Sequence, residues 1–197
     1  MTPKQVPATA QGVVVRRAEM KEAEAVLKSV LNLARASATA AHWSLAAFHP
    51  YLSTDEAGGA LQAKAMFLAC TDPAKSATEA GGSHTPIATV DGIVGFAAFS
   101  TIMTVGVGES TLENMAVAIP WQRQGIGCRL LKAGLHWCRA HAAGTVFLEV
   151  RASNRAAVAL YERAGFSAVG NRPGYYRDPA EDGLQMQKSL GRAARAG

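Results

Sequence analysis

The hexapeptide QRQGIG, Gln122 to Gly127, sits between a strand-like run, Thr111 to Ala118, and an amphipathic stretch, Gly127 to Ala142. No other segment of the chain constrains its fold as strongly. In the amphipathic stretch Leu130, Leu131, Gly134, Leu135 and Cys138 fall on one stripe, with Arg129, Lys132, His136 and Arg139 largely off it. That is the pattern of a helix with one face against a core. Thr145 to Arg151 then alternates, with Val146, Leu148 and Val150 on one face and Phe147, Glu149 and Arg151 on the other, as a strand does. Ser153 is the expected N-cap of a second helix, whose stripe is Ala157, Leu160, Tyr161 and Ala164 and which Gly165 ends. Phe166 to Val169 and Leu184 to Leu190 read as two closing strands.

The N-terminal half is less regular. Val13 to Arg16 is a β-rich run, and Met20, Ala23, Val26, Leu27, Val30, Leu31 and Ala34 recur at helical spacing. Ala41 to Leu52 carries Trp43, Phe48 and Tyr51 among turn formers, with Ser53 or Thr54 able to cap a further short helix. Ala65 to Cys70 reads as a strand, and Asp72 to His84, rich in Pro, Gly, Ser and Thr, reads as an inserted loop. Pro86 to Val90, the turn Asp91-Gly92 and Ile93 to Ile102 predict a hairpin that feeds the strand before the hexapeptide. A meander followed by strand-helix-strand-helix-strand predicts an α/β (α+β) fold, a mixed sheet with helices on its faces. Residues 12–190 are expected to form one domain between a flexible lead-in, 1–11, and a tail, 191–197.

With 49% hydrophobic and 18% charged residues, a chain of 197 residues can bury a real core. Its longest nearly apolar stretch, Ile93 to Phe99, falls far short of the roughly 20 residues needed to span a bilayer. The first twelve residues lack the apolar centre of a secretion signal. A cytoplasmic location without membrane contact is expected. Cys70, Cys128 and Cys138 show no Cys/His ligand spacing, so reduced thiols and no metal are expected. The net charge of +5 is scattered, which argues against a nucleic-acid partner. Arg123, Arg129 and Lys132, however, cluster around the hexapeptide, where an anionic ligand would be attracted.

Glycines after a strand let backbone N–H groups approach a pyrophosphate, and the following helix N-terminus adds unpaired donors and a positive dipole end. QRQGIG suits that task, although a tight strand-to-helix connection would account for it as well. It is neither a P-loop nor a dinucleotide fingerprint: Lys132 lies too far along the helix, and no third glycine completes G-x-G-x-x-G.

The strings ENMAVAIP, QRQGIG, FLEVRASN and AVALYERAGF together resemble the GNAT superfamily of acetyl-CoA-dependent N-acetyltransferases. Within it, LEVRASN, ALYERAGF and RPGYYRDPAEDGLQM are similar to the bacterial ribosomal-protein-alanine N-acetyltransferases, and His42-Trp43-Ser44 resembles a Pro-Trp-Ser segment near their acceptor site with histidine for proline. The resemblance implies a GNAT fold with a mixed central sheet of six to seven strands, roughly, flanked by helices on both faces. It assigns Met115, Ala116 and Val117 to the strand holding the pantetheine and thioester. Arg123, Gln124, Gly125, Ile126, Gly127 and Cys128 become the pyrophosphate turn, and Asn154 a contact to the pantetheine arm. For Asn154 the plain alternative is a first-turn residue bonding its own backbone.

By the same resemblance Glu149 is the general base, directly or through a water, and Tyr161 donates a proton to the leaving thiolate. A lone strand glutamate is otherwise a salt-bridge partner of Arg151 or another cation, and an aromatic on a helix stripe is otherwise core. Cys128 has no paired His and is read as a small helix residue, not a nucleophile. Tyr175 and Tyr176 are expected on an exposed loop flanking the acceptor. The implied reaction is direct acetyl transfer to a primary amine, the favoured acceptor being the N-terminal alanine of a ribosomal protein. Small amines, antibiotics and lysines remain alternatives, as does a non-catalytic acyl-CoA-binding module.

Overall fold

The computed structural model describes residues 12–37, 43–52, 62–71, 92–103 and 108–191. Expectations resting on residues 1–11, His42, Ser53, Thr54, the 72–84 loop, the first arm of the hairpin from Pro86 to Asp91, and residues 192–197 lie outside the described residues.

Seven strands make one sheet: β1 (Val13–Arg17), β2 (Gln62–Thr71), β3 (Ile93–Met103), β4 (Gly108–Val117), β5 (Ala143–Arg151), β6 (Ser167–Arg177) and β7 (Ala180–Ser189). Their order is β1-β2-β3-β4-β5-β7-β6. Every neighbouring pair is antiparallel except β4 and β5. A parallel pair needs a crossover, and α3 (Ile126–Ala140) supplies it. The remaining helices are α1 (Ala23–Ala36), α2 (Leu45–Phe48) and α4 (Arg155–Arg163).

The alternation of β2 shows how the sheet feeds two cores. Ala65, Phe67 and Ala69 point to the face covered by α3 and α4, where they join Phe99, Leu112, Leu131, Val146 and Met186. Met66 and Leu68 point to the opposite face with Val30, Leu33, Phe48, Leu52 and Phe96, under α1 and α2. Both faces are therefore apolar along the central strands, and residues 65–69 are all buried, which is why a sheet covered on both sides reads as a continuous hydrophobic run. Helix α3 packs tightly against Phe99 of β3 at Gly134. A Cβ there would come within 1.9 Å of Phe99 Cε2, so only glycine lets helix and strand pack at this distance.

Three expectations are corrected. The chain from Gly170 to Gly183 is not loop: β6 and β7 form a long antiparallel hairpin, and Tyr175 and Tyr176 stand on β6 rather than on a loop. The edge strand is exposed along nearly its whole length, so no apolar alternation marked it. Ser153 is not the N-cap of α4. Its N–H and hydroxyl bond the Glu181 carboxylate at 2.6 and 3.0 Å, and Asn154 caps instead, accepting from Ala157 N–H at 3.2 Å. Finally, Met20 lies in a short 3-10 turn ahead of α1 and is 40% exposed, outside the helix stripe.

Candidate active site

The parallel pairing of β4 with β5 ends at Leu112 opposite Leu148. Beyond that point residues 113–117 and 149–151 carry no ladder between them, and the space between the two strand ends is the candidate cleft. A β-bulge starts it. Opposite β3, Ala98 pairs with Asn114 but Phe99 with Leu112, so Glu113 is the extra residue. The bulge shifts the phase of the strand: Leu112 faces the α3 side before it, and Met115 and Val117 face that side after it.

Main-chain direction in the cleft follows from the ladder. Ala118 N–H donates to Val94 O at 2.9 Å, and Gly95 pairs with Val117 next to it. Hydrogen-bonded and non-bonded pairs alternate in an antiparallel ladder, so Val117 and Met115 turn their N–H and C=O away from β3, into the cleft. The Gln122 side chain donates to Val117 O at 2.9 Å. Ala116 is different: its polar groups face β3, and its methyl is buried on the α1 side.

The turn after β4 bends through two left-handed residues, Arg123 at φ 62 and Gly125 at φ 80. Among the described residues a Cβ on Gly125 would meet nothing within 4 Å, so glycine serves the backbone angle rather than close packing. The first helical bond of α3 runs from Arg129 N–H to Gly125 O at 3.1 Å. The N–H groups of Ile126, Gly127 and Cys128 thus precede the ladder, and among the described residues no side chain caps them. Gln124 donates to Pro120 O at 3.0 Å and braces the turn. Gly127 lies close to α4, where a Cβ would meet Leu160 at 3.3 Å. Of the three cations expected here, Arg129 donates to Val13 O at 2.6 Å and ties α3 to β1. Cys128 is exposed and, like Cys70 and Cys138, free.

Asn154 and Tyr161 approach from α4. The cap uses Oδ1 of Asn154, which is the bland role considered above, and leaves the amide NH2 as the half not used by it. Tyr161 is 7% exposed, packs edge-on to Phe166 and belongs to the core on the α3 side. Burial holds its phenol well above the usual range, so its proton stays on.

The other rim of the cleft is built from charge and aromatic rings. Glu149 faces away from the aliphatic side of β5 and accepts from Arg172 of β6 at 2.7 Å. Its partner is therefore not Arg151. That residue is buried, donating to Asp178 O at 2.7 Å and Pro179 O at 2.9 Å, pairing with Glu181 at 3.3 Å and lying 4.2 Å over the Tyr176 ring. It pins the β6–β7 turn. Arg172 lies 4.9 Å over Tyr175, and Tyr175 meets Tyr176 at right angles. Burial, with the neighbouring Tyr175 second, pushes the Tyr176 phenol up to about 12.

Sequence reasoning missed Glu113 and Arg172. Ser100 donates to the Glu113 carboxylate at 2.6 Å. Burial raises the phenols of Tyr51 and Tyr175; the charge of Glu113 adds to it at Tyr51, and at Tyr175 the charge of Glu149 adds most, Arg172 opposes it and Glu113 adds least. The bulge had a signal in the sequence: the apolar spacing steps from Leu112 to Met115 by three and only then to Val117 by two. Among the described residues no group of three His, Cys, Asp or Glu side chains is placed to hold a metal ion, and no helix is long and apolar enough to cross a membrane.

Residues 40–166 match the family model described as Acetyltransferase (GNAT) family. The chain belongs to the GNAT family. Over 89 residues it is 46% identical to the [Ribosomal protein bS18]-alanine N-acetyltransferase of Escherichia coli K12, a stretch covering 45% of this chain and 58% of that protein. Over 99 residues it is 38% identical to the N-alpha-acetyltransferase RimI of Mycobacterium tuberculosis, covering 50% of this chain and 61% of the other. The matches thus span less than two thirds of these relatives. The crystal structure of the ribosomal-protein-S18-alanine N-acetyltransferase from Escherichia coli superposes with a TM-score of 0.60 at 26% identity, covering 94% of this chain and 98% of that one. The seven-stranded mixed sheet with helices on both faces agrees with the expected GNAT fold.

Proposed function

We propose that this GNAT chain transfers the acetyl group of acetyl-CoA directly to a primary amine, and that the amine is the N-terminal alanine of a ribosomal protein. One observation carries the reading: cleft-facing main chain at Met115 and Val117 runs into an uncapped helix N-terminus, with Glu149 and Tyr161 on elements that border the same cleft. Diphosphate oxygens would take the N–H groups of Ile126, Gly127 and Cys128, with Arg123, Gln124 and Gly125 shaping the turn. The pantetheine arm would lie along Met115 to Val117, within reach of the Asn154 amide. Residues 12–190 would act as one catalytic domain.

The chemistry follows from charge. An ammonium must lose a proton before its nitrogen can attack, and Glu149, kept close to Arg172, would take it directly or through a water. Attack on the thioester carbon puts negative charge on the carbonyl oxygen, to which Val117 N–H would donate without reorganising. Collapse breaks the C–S bond, and the electron pair leaves with sulfur, which Tyr161 would protonate; the second proton of the attacking nitrogen is released to solvent, from which the Tyr161 phenolate regains its own. An α-amine, with a reference pKa near about 8, needs less help than a lysine near about 10.4.

Release of coenzyme A decides the matter, measured with an alanine-starting ribosomal-protein peptide, the same peptide pre-acetylated, and a panel of small amines and lysine peptides. Turnover on the free peptide alone is expected. Turnover on small amines alone removes the ribosomal acceptor and keeps the enzyme class. Acetyl-CoA binding without any turnover leaves only a binding module.

A further inference from the structure

The acceptor side of the cleft carries two carboxylates on one face of the sheet, and they are not equivalent. Glu149 is compensated by Arg172 at 2.7 Å. Glu113 is exposed, and among the described residues its carboxylate has a hydroxyl partner, Ser100, but no cationic one. Its position is fixed from below: the bulge makes it the first β4 residue past the β5 pairing, and the 5% exposed Ser100 holds one of its oxygens. The charge of Glu113 reaches two phenols, that of Tyr51, in the 3-10 turn His49–Leu52 after α2, and, together with the larger effect of Glu149, that of Tyr175 on β6.

A fixed carboxylate without a cationic hydrogen-bond partner attracts a cation by its charge, while the neighbouring rings of Tyr175 and Tyr51 already carry Arg172 and Lys64 over their faces, at 4.9 and 5.1 Å. We infer that Glu113 is a specificity-determining residue that binds a second positive charge on the acceptor, a Lys or Arg side chain next to the amine that is acetylated. The inference rests on the acetyl-transfer reading above and narrows its substrate class to N-termini followed by a basic residue. It also answers an electrostatic difficulty. A chain of net charge +5 gains no long-range attraction towards a basic protein, so recognition of such a protein needs a local negative feature, and Glu113 provides one.

The test uses the full chain with saturating acetyl-CoA and three peptides that begin Ala-Lys, Ala-Gln and Ala-Glu and are otherwise identical. The ratio of kcat/KM for Ala-Lys over Ala-Gln is expected to be roughly five- to tenfold, carried by KM, with Ala-Glu the poorest. Glu113→Gln keeps an acceptor for Ser100 and should bring that ratio to about one, while Glu113→Lys should favour Ala-Glu. A wild-type protein indifferent to the second residue, or a preference surviving Glu113→Gln, overturns the inference. The same peptides are titrated by fluorescence anisotropy without turnover. If none is acetylated, the acetyl-transfer reading falls, and the order of affinities still decides the role of Glu113.

Discussion

The wall of the cleft made by β4 and α3 presents main chain: the polar groups of Met115 and Val117, and helix N–H groups behind a turn with two left-handed residues. The wall made by β5, β6 and β7 presents side chains, with Arg172 paired to Glu149 and stacked on Tyr175, and Arg151 clamped to the β6–β7 turn. A main-chain surface depends on backbone angles and close packing and tolerates side-chain changes. A side-chain surface depends on charges and rings that one substitution can remove. The two walls should therefore fail in different ways.

The largest effect is expected on the side-chain wall. Glu149→Gln preserves shape but removes the proposed base, and should lower kcat/KM by about 10²- to 10⁴-fold. Its melting temperature should stay close to that of the parent, because the Arg172 partner is half-exposed and an exposed pair contributes little. Tyr161→Phe should behave alike, losing rate while its ring still packs on Phe166. If both variants kept near-normal kcat/KM, the assignment of these two residues to proton transfer would be wrong, whatever the wall's charge.

On the main-chain side the corresponding changes are structural. Gly134→Ala drives a methyl into Phe99, at 1.9 Å for the unrelaxed Cβ, and should cost at least about 1–3 kcal/mol of stability. Urea unfolding measures it. Adding Phe99→Leu should recover part of the loss, since the two residues are in contact. Gly125→Ala is the sharper comparison. There the space is open and only the angle of φ 80 resists, so the cost should be nearer about 1–2 kcal/mol, and no repacking partner should rescue it. Equal rescue of both by Phe99→Leu would contradict the distinction between packing and backbone.

These walls differed just as much in how far the sequence revealed them. The turn, α3 and β5 were readable because periodicity and glycine placement are local signals, and α3 was found within a residue or two. The hairpin of β6 and β7 was half missed: an exposed edge strand containing Pro173 and Gly174 shows no alternation. The step of three from Leu112 to Met115 signalled a bulge, but that Glu113 is the residue it sets at the cleft is defined by what lies across the ladder and not by the residue itself. The partner of Glu149 escaped for the same reason. Arg172 is 23 residues away in sequence, and the nearer Arg151 is drawn off by the carbonyls of Asp178 and Pro179. Asn154 took the cap that Ser153 was expected to provide because Glu181, on β7, claims Ser153.

The smallest effect concerns pH, and it should touch one wall only. Bonds from the Ser153 N–H, the Ser153 hydroxyl and Arg151 hold the Glu181 carboxyl below its usual range, and the N–H of Gly174 does so for Asp182, with Asn171 second. A folded-state value below the unfolded one stabilises above the unfolded value and loses that contribution as pH falls through the folded one. Acid should thus loosen the β6–β7 hairpin below about pH 4, near the reference values for carboxylates. Because Asp182 is exposed and Glu181 partly so, the change should be local. Amide protection factors at Gly174 and Ser153 should drop first, and Glu181→Gln should flatten the response at Ser153 alone. The turn before α3 offers the control: residues 118–130 contain no Asp or Glu, so its protection should hold until the sheet itself opens. If both walls loosened together, the carboxylates of β7 would be supporting the whole cleft rather than the side-chain wall alone, and the separation between main-chain and side-chain walls would have to be given up.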